Sequence, residues 1–499
     1  MKTLILIFLS FSSILVRYIR WFAVVQQKEY RWDRMWLFLR TDEGRKELVR
    51  FFPQKQDFTK GGFKRPKITL RILVVVGCTG LLLFISILFF SMWLVSTGLS
   101  VAYWVVFFVL FSVMLVVFAP FFVLFGVLPT QVLAAVVTQS VATSARKKIV
   151  TQKPFIIGIT GSFGKSSTKL LLSHVLSQKY TVFHTPRSYN TLYSIARSVV
   201  KGFTSEQFLI LEYAAYIPGE IQRVTDYLRP NMAIITGFAP QHIGLFGSEQ
   251  AIITAKAELV AALREDEVVY FNAAYPKTKE ITEVGIQKSG AEKIVTTAVS
   301  WDNFFSNPHL NATGQLEFTW GNQEVKTAFI GTHYIEIVAL TWCVAQKYLT
   351  KKEFIAALST YKPASTFTSC TTHQSGARII DDGGTSNPQG FMSALNTLEA
   401  LKAKRKIVVT PGIVDLGSKS VEIHRSIAKR LENVADLVLY VGGTEAATMS
   451  EVLGKKCVTE QDQALHVLSS LSSDDIVLLE GRIPSWFSTQ LNESTKEKA

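Results

Sequence analysis

Residues 153–169, KPFIIGITGSFGKSSTK, bring together the residue types that a phosphate group needs. Phe155, Ile156, Ile157 and Ile159 suit a buried strand. Gly161 and Gly164 let backbone N–H groups approach an anion, and Lys165 adds a positive charge at the start of the following helix. Ser166, directly after the lysine, stands where such loops place a Mg²⁺-binding hydroxyl. The spacing differs from the common phosphate-loop pattern, because Ile159 occupies the position where that pattern has its first glycine. The motif is TGxxGKS, with Ser162 and Ser167 on either side of the Gly164–Lys165 pair. A short Gly/Ser pattern also suits an ordinary strand-to-helix turn, but a lysine and serine in register behind a β-run point to nucleotide binding.

Further polar groups stand at the ends of apolar runs, where open α/β sheets place their ligands. Glu212 closes FLILEY, His242 follows MAIITGFAP, and Lys256 and Glu258 lie in a helical stretch shortly after. A carboxylate and an imidazole converging near a phosphate loop would make a Mg²⁺ environment. Singly, Glu212 also suits a solvated strand end, His242 a loop hydrogen bond, and Lys256 an exposed helical lysine.

From residue 151 onward, short β-runs alternate with helical stretches. FIIGIT, FLILEY at 208–213, MAIITGF at 232–238 and VVYFN at 268–272 are separated by helices, including one over Glu249–Leu263 and another over Tyr334–Tyr348. This alternation predicts a parallel α/β sheet. After a polar break at 361–370, a second α/β series follows with ARIIDD, KIVVTP, LVLYVG and IVLLEG. The expected organisation is a membrane-anchoring helical region over 1–150, a central nucleotide-binding α/β domain over 151–365 and a C-terminal Rossmann-like α/β domain over 366–499.

The first region accounts for the basic character of the chain. Of the net charge of +14, residues 1–150 carry +13, from nineteen basic and six acidic residues. These charges flank apolar segments, the pattern of cytoplasmic membrane faces, so the partner they imply is anionic lipid and not nucleic acid. Residues 3–16 are apolar but short for a span of about 20 residues, and read as an uncleaved anchor or an interfacial segment. The alternating aromatic and basic residues from Arg20 to Phe52 suit helices lying on a membrane surface. No charge occurs between Arg71 and Arg146. Basic residues at both ends require an even number of crossings, placed near 69–96 and 101–127, with a turn at Gly98–Ser100 and a kink at Pro120. A helix over 130–148 then leads to the phosphate loop. Four scattered cysteines with no CxxC spacing suggest neither a zinc site nor a disulfide framework.

Taken together, GITGSFGKSSTK, LEYAAYIPGEI and RPNMAIITGFAPQHIGLFGSEQAIITAKAEL, followed by IDDGGTSNPQGFMSAL and TPGIVDLGSKSVEIH, resemble the Mur ligase family in order and spacing. Within that family the likeness is greatest to the D-alanyl-D-alanine-adding branch, and it covers roughly 153–490. The resemblance implies an ATP-dependent acid–amino-acid ligase acting on peptidoglycan precursors through an acyl phosphate. Gly161, Ser162, Gly164, Lys165, Ser166 and Ser167 would hold the ATP phosphates. Ser166 and Glu212 would bind one Mg²⁺, and His242 a second. Lys256 falls where the family carries a carbamylated lysine that helps hold the second ion. His333 keeps the histidine of the family's adenine motif, Asp382 would contact the ribose, and Asn387–Pro388 would shape the first loop of the C-terminal domain. The chemical roles centre on Lys165, Lys256 and His242. Such an enzyme would sit at the bacterial cytoplasmic membrane with its ligase domains in the cytosol, and take a cell-envelope carboxylate and an amino-acid or dipeptide amine.

The chain departs from the family at four places. A membrane module replaces the soluble N-terminal domain that grips the UDP-sugar, which makes a lipid-linked or wall-linked acceptor as reasonable as a soluble one. The adenine motif reads His333-Tyr334-Ile335-Glu336-Ile337, without its two asparagines. The Gly-Arg expected after Lys362–Pro363 is missing, and Glu480-Gly481-Arg482 replaces Lys-Gly-Ser-Arg. A poly-γ-glutamate-type synthetase and a non-catalytic nucleotide-binding scaffold therefore remain alternatives.

Overall fold

A computed structural model describes residues 2–40, 42–52, 54, 65–240, 246–364, 367–383, 387–414, 416, 419–442 and 445–493. Two compact units divide at Ser140/Val141.

The first unit is helical: α1 Lys2–Gln27, α2 Trp32–Arg40, α3 Asp42–Val49, α4 Leu70–Ser96, α5 Val101–Val117 and α6 Ala119–Gln152, the last running past the division. Thr69 caps α4 by accepting the N–H of Ile72. At 27 residues α4 is about 40 Å long, enough for the roughly 30 Å hydrocarbon core of a bilayer. It pairs with α5 and the start of α6 as an antiparallel hairpin. Phe90 stacks on Phe111 at 4.1 Å, and Trp93 meets Phe107 edge-on. A Cβ on Gly126 would overlap Thr79, so the glycine permits close approach there. The second apolar segment is not one straight helix. It breaks at Phe118, and the chain restarts at Ala119 with Pro120 in the first turn, where a missing N–H costs nothing. By length and composition, α4 and α6 are each long and apolar enough to cross a membrane.

The segment from Arg20 to Phe52 contributes to a helical core. Trp21, Phe22, Met35 and Phe38 are buried with Ile72, Val75, Val123 and Val127 in one core. Arg17 is turned inward and donates to the carbonyls of Arg50 (2.6 Å) and Leu48 (2.8 Å), while Arg20 pairs with Glu47. These bonds supply the partners that buried guanidinium groups require and tie α1 to α3. Trp36 remains exposed.

The second unit carries three sheets. In the central one, six parallel strands run in the order β2-β3-β1-β4-β5-β6: β1 Phe155–Thr160, β2 Val182–His184, β3 Phe208–Glu212, β4 Met232–Ile235, β5 Val268–Asn272 and β6 Val295–Val299. Strands β1, β3 and β4 are almost wholly apolar, except for Thr160 and Glu212 at strand ends, and buried on both faces, as parallel strands covered by helices must be. The loops after β1, β3 and β4 open at the same edge of the sheet. A small antiparallel sheet follows, β7 Ser306–Leu310, β8 Gln315–Trp320 and β9 Gln323–Ile330. The third sheet orders β10 Ser369–Thr372, β11 Arg378–Asp382, β15 Asp475–Glu480, β12 Arg405–Thr410, β13 Leu437–Tyr440 and β14 Cys457–Val458, parallel except at β10. Helices named below are α7 Lys165–Leu176, α8 Glu220–Thr225, α9 Glu249–Ala261, α10 Pro276–Ser289, α11 Tyr334–Ala345 and α12 Pro388–Ala400.

Candidate functional site

The loop after β1 is built by glycine geometry. Gly161 has φ 152°, and a Cβ there would overlap Thr236 Oγ1 and lie 3.0 Å from the N of Gly237. Gly164, at φ 77°, opens α7 with no side-chain cap, so the first N–H groups of the helix point into the loop without intrahelical acceptors. The loop is anchored to the segment after β4. Ser162 donates from its N–H to Gly237 O (2.8 Å) and from its hydroxyl to Ala239 O (2.9 Å), and the Thr236 hydroxyl donates to Phe163 O. Lys165 curls over the loop, donating to Gly161 O (2.7 Å) and Ser162 O (3.2 Å). Burial pushes its pKa down, while Glu212 works against that shift.

Glu212 is not a solvated strand end. It closes β3 opposite Ile159, is 2% exposed, and its Oε2 accepts from Ser166 Oγ (2.7 Å) and Lys169 Nζ (3.2 Å). Sequence reasoning missed Lys169, which is fully buried and also donates to Arg187 O. A signal was present, since Ser166 and Lys169 are three apart and share one helical face. The hydroxyl and carboxylate oxygens form a hard donor pair of the kind that suits Mg²⁺.

Lys256 comes from α9, 95 residues away, and its Nζ donates to the same Gly161 carbonyl at 2.9 Å. It is 5% exposed, not a surface lysine. Burial first, and the charge of Lys165 second, lower its pKa well below the ordinary lysine value, which favours a neutral, nucleophilic amine. Glu258, two residues on, faces elsewhere and accepts the N–H groups of Gly219 (2.5 Å) and Gln222 (2.9 Å) at the start of α8. His242 lies outside the described residues.

The helix α11, whose Ile337 approaches Gly164, has His333 as its N-cap. Its Nδ1 is shut off from solvent without a hydrogen-bond partner among the described residues, and burial lowers its pKa to about 4. The neighbouring Glu336 accepts from Asn272 Nδ2 (2.9 Å) and from the Tyr275 hydroxyl, and Tyr275 packs edge-on against Phe163. A polar chain then leads into the third sheet. The Tyr334 hydroxyl lies 3.1 Å from Thr368 Oγ1, which donates to Asp382 Oδ1 (2.9 Å). Asp382 is paired in register with the fully buried Glu480 and hydrogen-bonded to it. Burial raises the Asp382 pKa, while its hydrogen bonds with Thr368 and Glu480 work against that shift. Asn387 caps α12 by accepting the N–H of Gly390 (2.9 Å), with Pro388 at the first helical position.

The structure thus brings Gly161, Ser162, Gly164, Lys165, Ser166, Glu212 and Lys256 to one edge of the central sheet, with α11 beside them through Ile337. Ser167 follows Ser166 in α7. Asp382 and Asn387 stand at the adjoining end of the third sheet.

Residues 159–345 match the Mur ligase middle domain, and residues 368–483 match the family described as Mur ligase, glutamate ligase domain. The UDP-N-acetylmuramoyl-tripeptide--D-alanyl-D-alanine ligase of Mycobacterium tuberculosis is 28% identical over 328 residues, 63% of this chain and 62% of that protein. The chain therefore spans less than two thirds of that relative. The MurF ligase from Thermotoga maritima in complex with ADP superposes with a TM-score of 0.60 at 22% identity, covering 71% of this chain and 84% of that one. MurF from Acinetobacter baumannii gives 0.62 at 20% identity, covering 72% and 80%. Through its middle and C-terminal domains, the second following the first around the strand ends that carry these side chains, the chain belongs to the Mur ligase family.

Proposed function

We propose that the protein is a membrane-anchored, ATP-dependent amide ligase of the Mur type that acts on cell-envelope precursors, with residues 1–150 as anchor, 151–365 as ATP-binding domain and 366–499 as closing domain. The observation that carries this reading is the meeting of Lys165 and Lys256 on one loop carbonyl, beside the Ser166–Glu212 oxygen pair.

The site fits the groups the reaction needs. The uncapped start of α7 and the Gly161–Gly164 cradle suit the β- and γ-phosphates of ATP. Ser166 and Glu212 would hold one Mg²⁺, and His242 with a carbamylated Lys256 a second. These ions would supply charge neutralisation as the γ-phosphate is transferred. The buried, uncharged form of Lys256 is the form that reacts with CO₂, giving a carbamate and releasing one proton. His333 and the Asp382 region would border the nucleoside, with Asn387 fixing the first turn of the adjoining helix.

A carboxylate oxygen of the acceptor attacks the γ-phosphorus, and ADP leaves. The resulting acyl phosphate is attacked by the free amine of an amino acid or dipeptide such as D-alanyl-D-alanine. The amine loses a proton, phosphate departs and the amide remains. Lys165 stays beside the transferring phosphate, where a fixed positive charge lowers the barrier. A cell-envelope carboxylate as acceptor, an amine partner and a location at the bacterial cytoplasmic membrane with the ligase domains in the cytosol complete the reading.

The test is phosphate release from ATP by purified full-length protein with Mg²⁺, a panel of carboxylate acceptors and a panel of amines. Release should require both partners and be lost in Lys165→Ala. Unchanged release in that variant overturns the reading. A non-catalytic scaffold is the second reading, favoured by Glu480 standing beside Asp382 where the family has a lysine. Nucleotide binding without acceptor-dependent release would support it.

A further inference from the structure

A groove in the second unit lies at the edge of the central sheet opposite the phosphate loop. Its volume is about 840 Å³, within the range of ligand sites. Pro154 leads into β1 on its wall, Asn231 precedes β4 and Arg264 precedes β5. The length of β1, six residues or about 20 Å, separates the groove from Gly161.

Cations from four separate segments converge on it: Arg146 and Lys153 at the end of α6, Arg229 before β4, Arg264 after α9 and Lys288 near the end of α10. Arg229 is satisfied by a two-point pair with Glu267, at 2.7 and 3.1 Å. Two carboxylates share the wall, Asp226 and Glu258, and the oxygens of Glu258 also accept N–H groups at the start of α8. None of Arg146, Lys153, Arg264 and Lys288 forms an ion pair among the described residues, and Lys288 acts on Glu258 only through space. Four unpaired cations facing the two carboxylates of Asp226 and Glu258 leave the groove with an excess of positive charge, which an added anion would offset.

Lys153 adds an independent observation. It ends α6 with φ 50° while its N–H bonds to Ile149 O at 2.7 Å, a left-handed turn that glycine makes without strain. The chain keeps a lysine there although that backbone disfavours any side chain. Beside the cations, Ile149 is half-buried and Val150 is 62% exposed, so the groove is amphiphilic. In sequence, Arg146 is the first charge after the stretch that begins beyond Arg71, the position at which basic residues meet anionic headgroups.

We propose that this groove is a headgroup site for an anionic phospholipid. Arg146, Lys153, Arg264 and Lys288 surround the phosphodiester, and Ile149 with Val150 lie beside the glycerol end. The assignment rests on the membrane-associated reading above but not on the ligase chemistry.

The experiment titrates detergent-solubilised full-length protein with short-chain phosphatidylglycerol, phosphatidylcholine or glycerol 3-phosphate, and measures binding by calorimetry. Phosphatidylglycerol should bind in preference to the other two. The Arg264→Ser/Lys288→Ser variant, changed only at exposed positions, should bind it roughly 30-fold more weakly. Lys153→Gly should also weaken binding while keeping or raising the melting temperature, which separates lost contact from lost fold. Equal binding by wild type and both variants overturns the site. Glycerol 3-phosphate binding as tightly as the lipid overturns the lipid assignment in favour of a soluble phosphate. Vesicle flotation of the same proteins reads the anchor separately, because loss of the groove leaves the apolar hairpin intact.

Discussion

Lys169 and Glu212 show how one edge of a sheet can be held rigid by a buried charge pair. Glu212 is enclosed on all sides, and Lys169 is the cation that balances it within hydrogen-bond distance. Lys169→Met leaves the carboxylate buried without that charge and should cost about 3–5 kcal/mol, read as a fall in melting temperature. Adding Glu212→Gln should restore most of the loss, because both charges then leave together. His333 makes a prediction of the opposite kind. Its imidazole is held neutral, with a pKa lowered by burial to about 4 from an ordinary value of 6.5. A depressed folded pKa contributes stability that is fully present above pH 6.5 and is lost as pH falls toward 4. Melting temperatures measured from pH 7.5 down to 4.5 should therefore fall more steeply in wild type than in His333→Gln. Parallel curves would show that the ring carries no such penalty. Lys256 belongs to the same scale. Lys256→Ala should remove acceptor-dependent phosphate release by at least about 100-fold while nucleotide still binds, and ¹³C-bicarbonate should give a carbamate resonance in wild type only.

The elements of the site depend on backbone more than on side chains. Gly161 cannot carry a Cβ without displacing Thr236, whose hydroxyl fastens the loop to Phe163 O. Gly161→Ala should weaken nucleotide binding about 10-fold or more, the equivalent of one anchoring hydrogen bond, with unchanged far-ultraviolet dichroism. An unaltered nucleotide affinity would mean that the loop tolerates the shift. Much of this framework was legible in the sequence. FIIGIT and VVYFN are β1 and β5 to the residue, because apolar runs ending in Gly, Asn or Asp leave few other choices. The antiparallel strands over 306–330 escape the sequence pattern, although Val325, Thr327 and Phe329 alternate inward along β9. Pro308 and the polar run SNPHL hide the first strand of that sheet. Tertiary context decided the rest. The burial of Arg17 and Arg20 depends on carbonyls and a carboxylate about 30 residues away, and the Asp382–Glu480 pair on two strands almost 100 residues apart. No local pattern announces either.

At the scale of the whole molecule, the division of charge and the division into compact units nearly coincide. The first 150 residues hold almost all the net positive charge, and the compact units separate at Ser140/Val141. The second unit contains both α/β sheets with their own cores, so residues 141–499 should fold without the helical unit. That fragment keeps Arg146, Lys153, Arg264 and Lys288 but loses the hairpin of α4 and α5. The two proposed modes of membrane attachment then become separable. Full-length protein should stay in the membrane fraction through high salt and alkaline carbonate, because burying apolar side chains does not depend on ionic strength. The 141–499 fragment should bind only vesicles that contain anionic lipid, release as salt rises and retain nucleotide binding. A fragment that still needs detergent for extraction would place the anchor in the ligase body, whereas full-length protein released by salt alone would leave the hairpin without a membrane role.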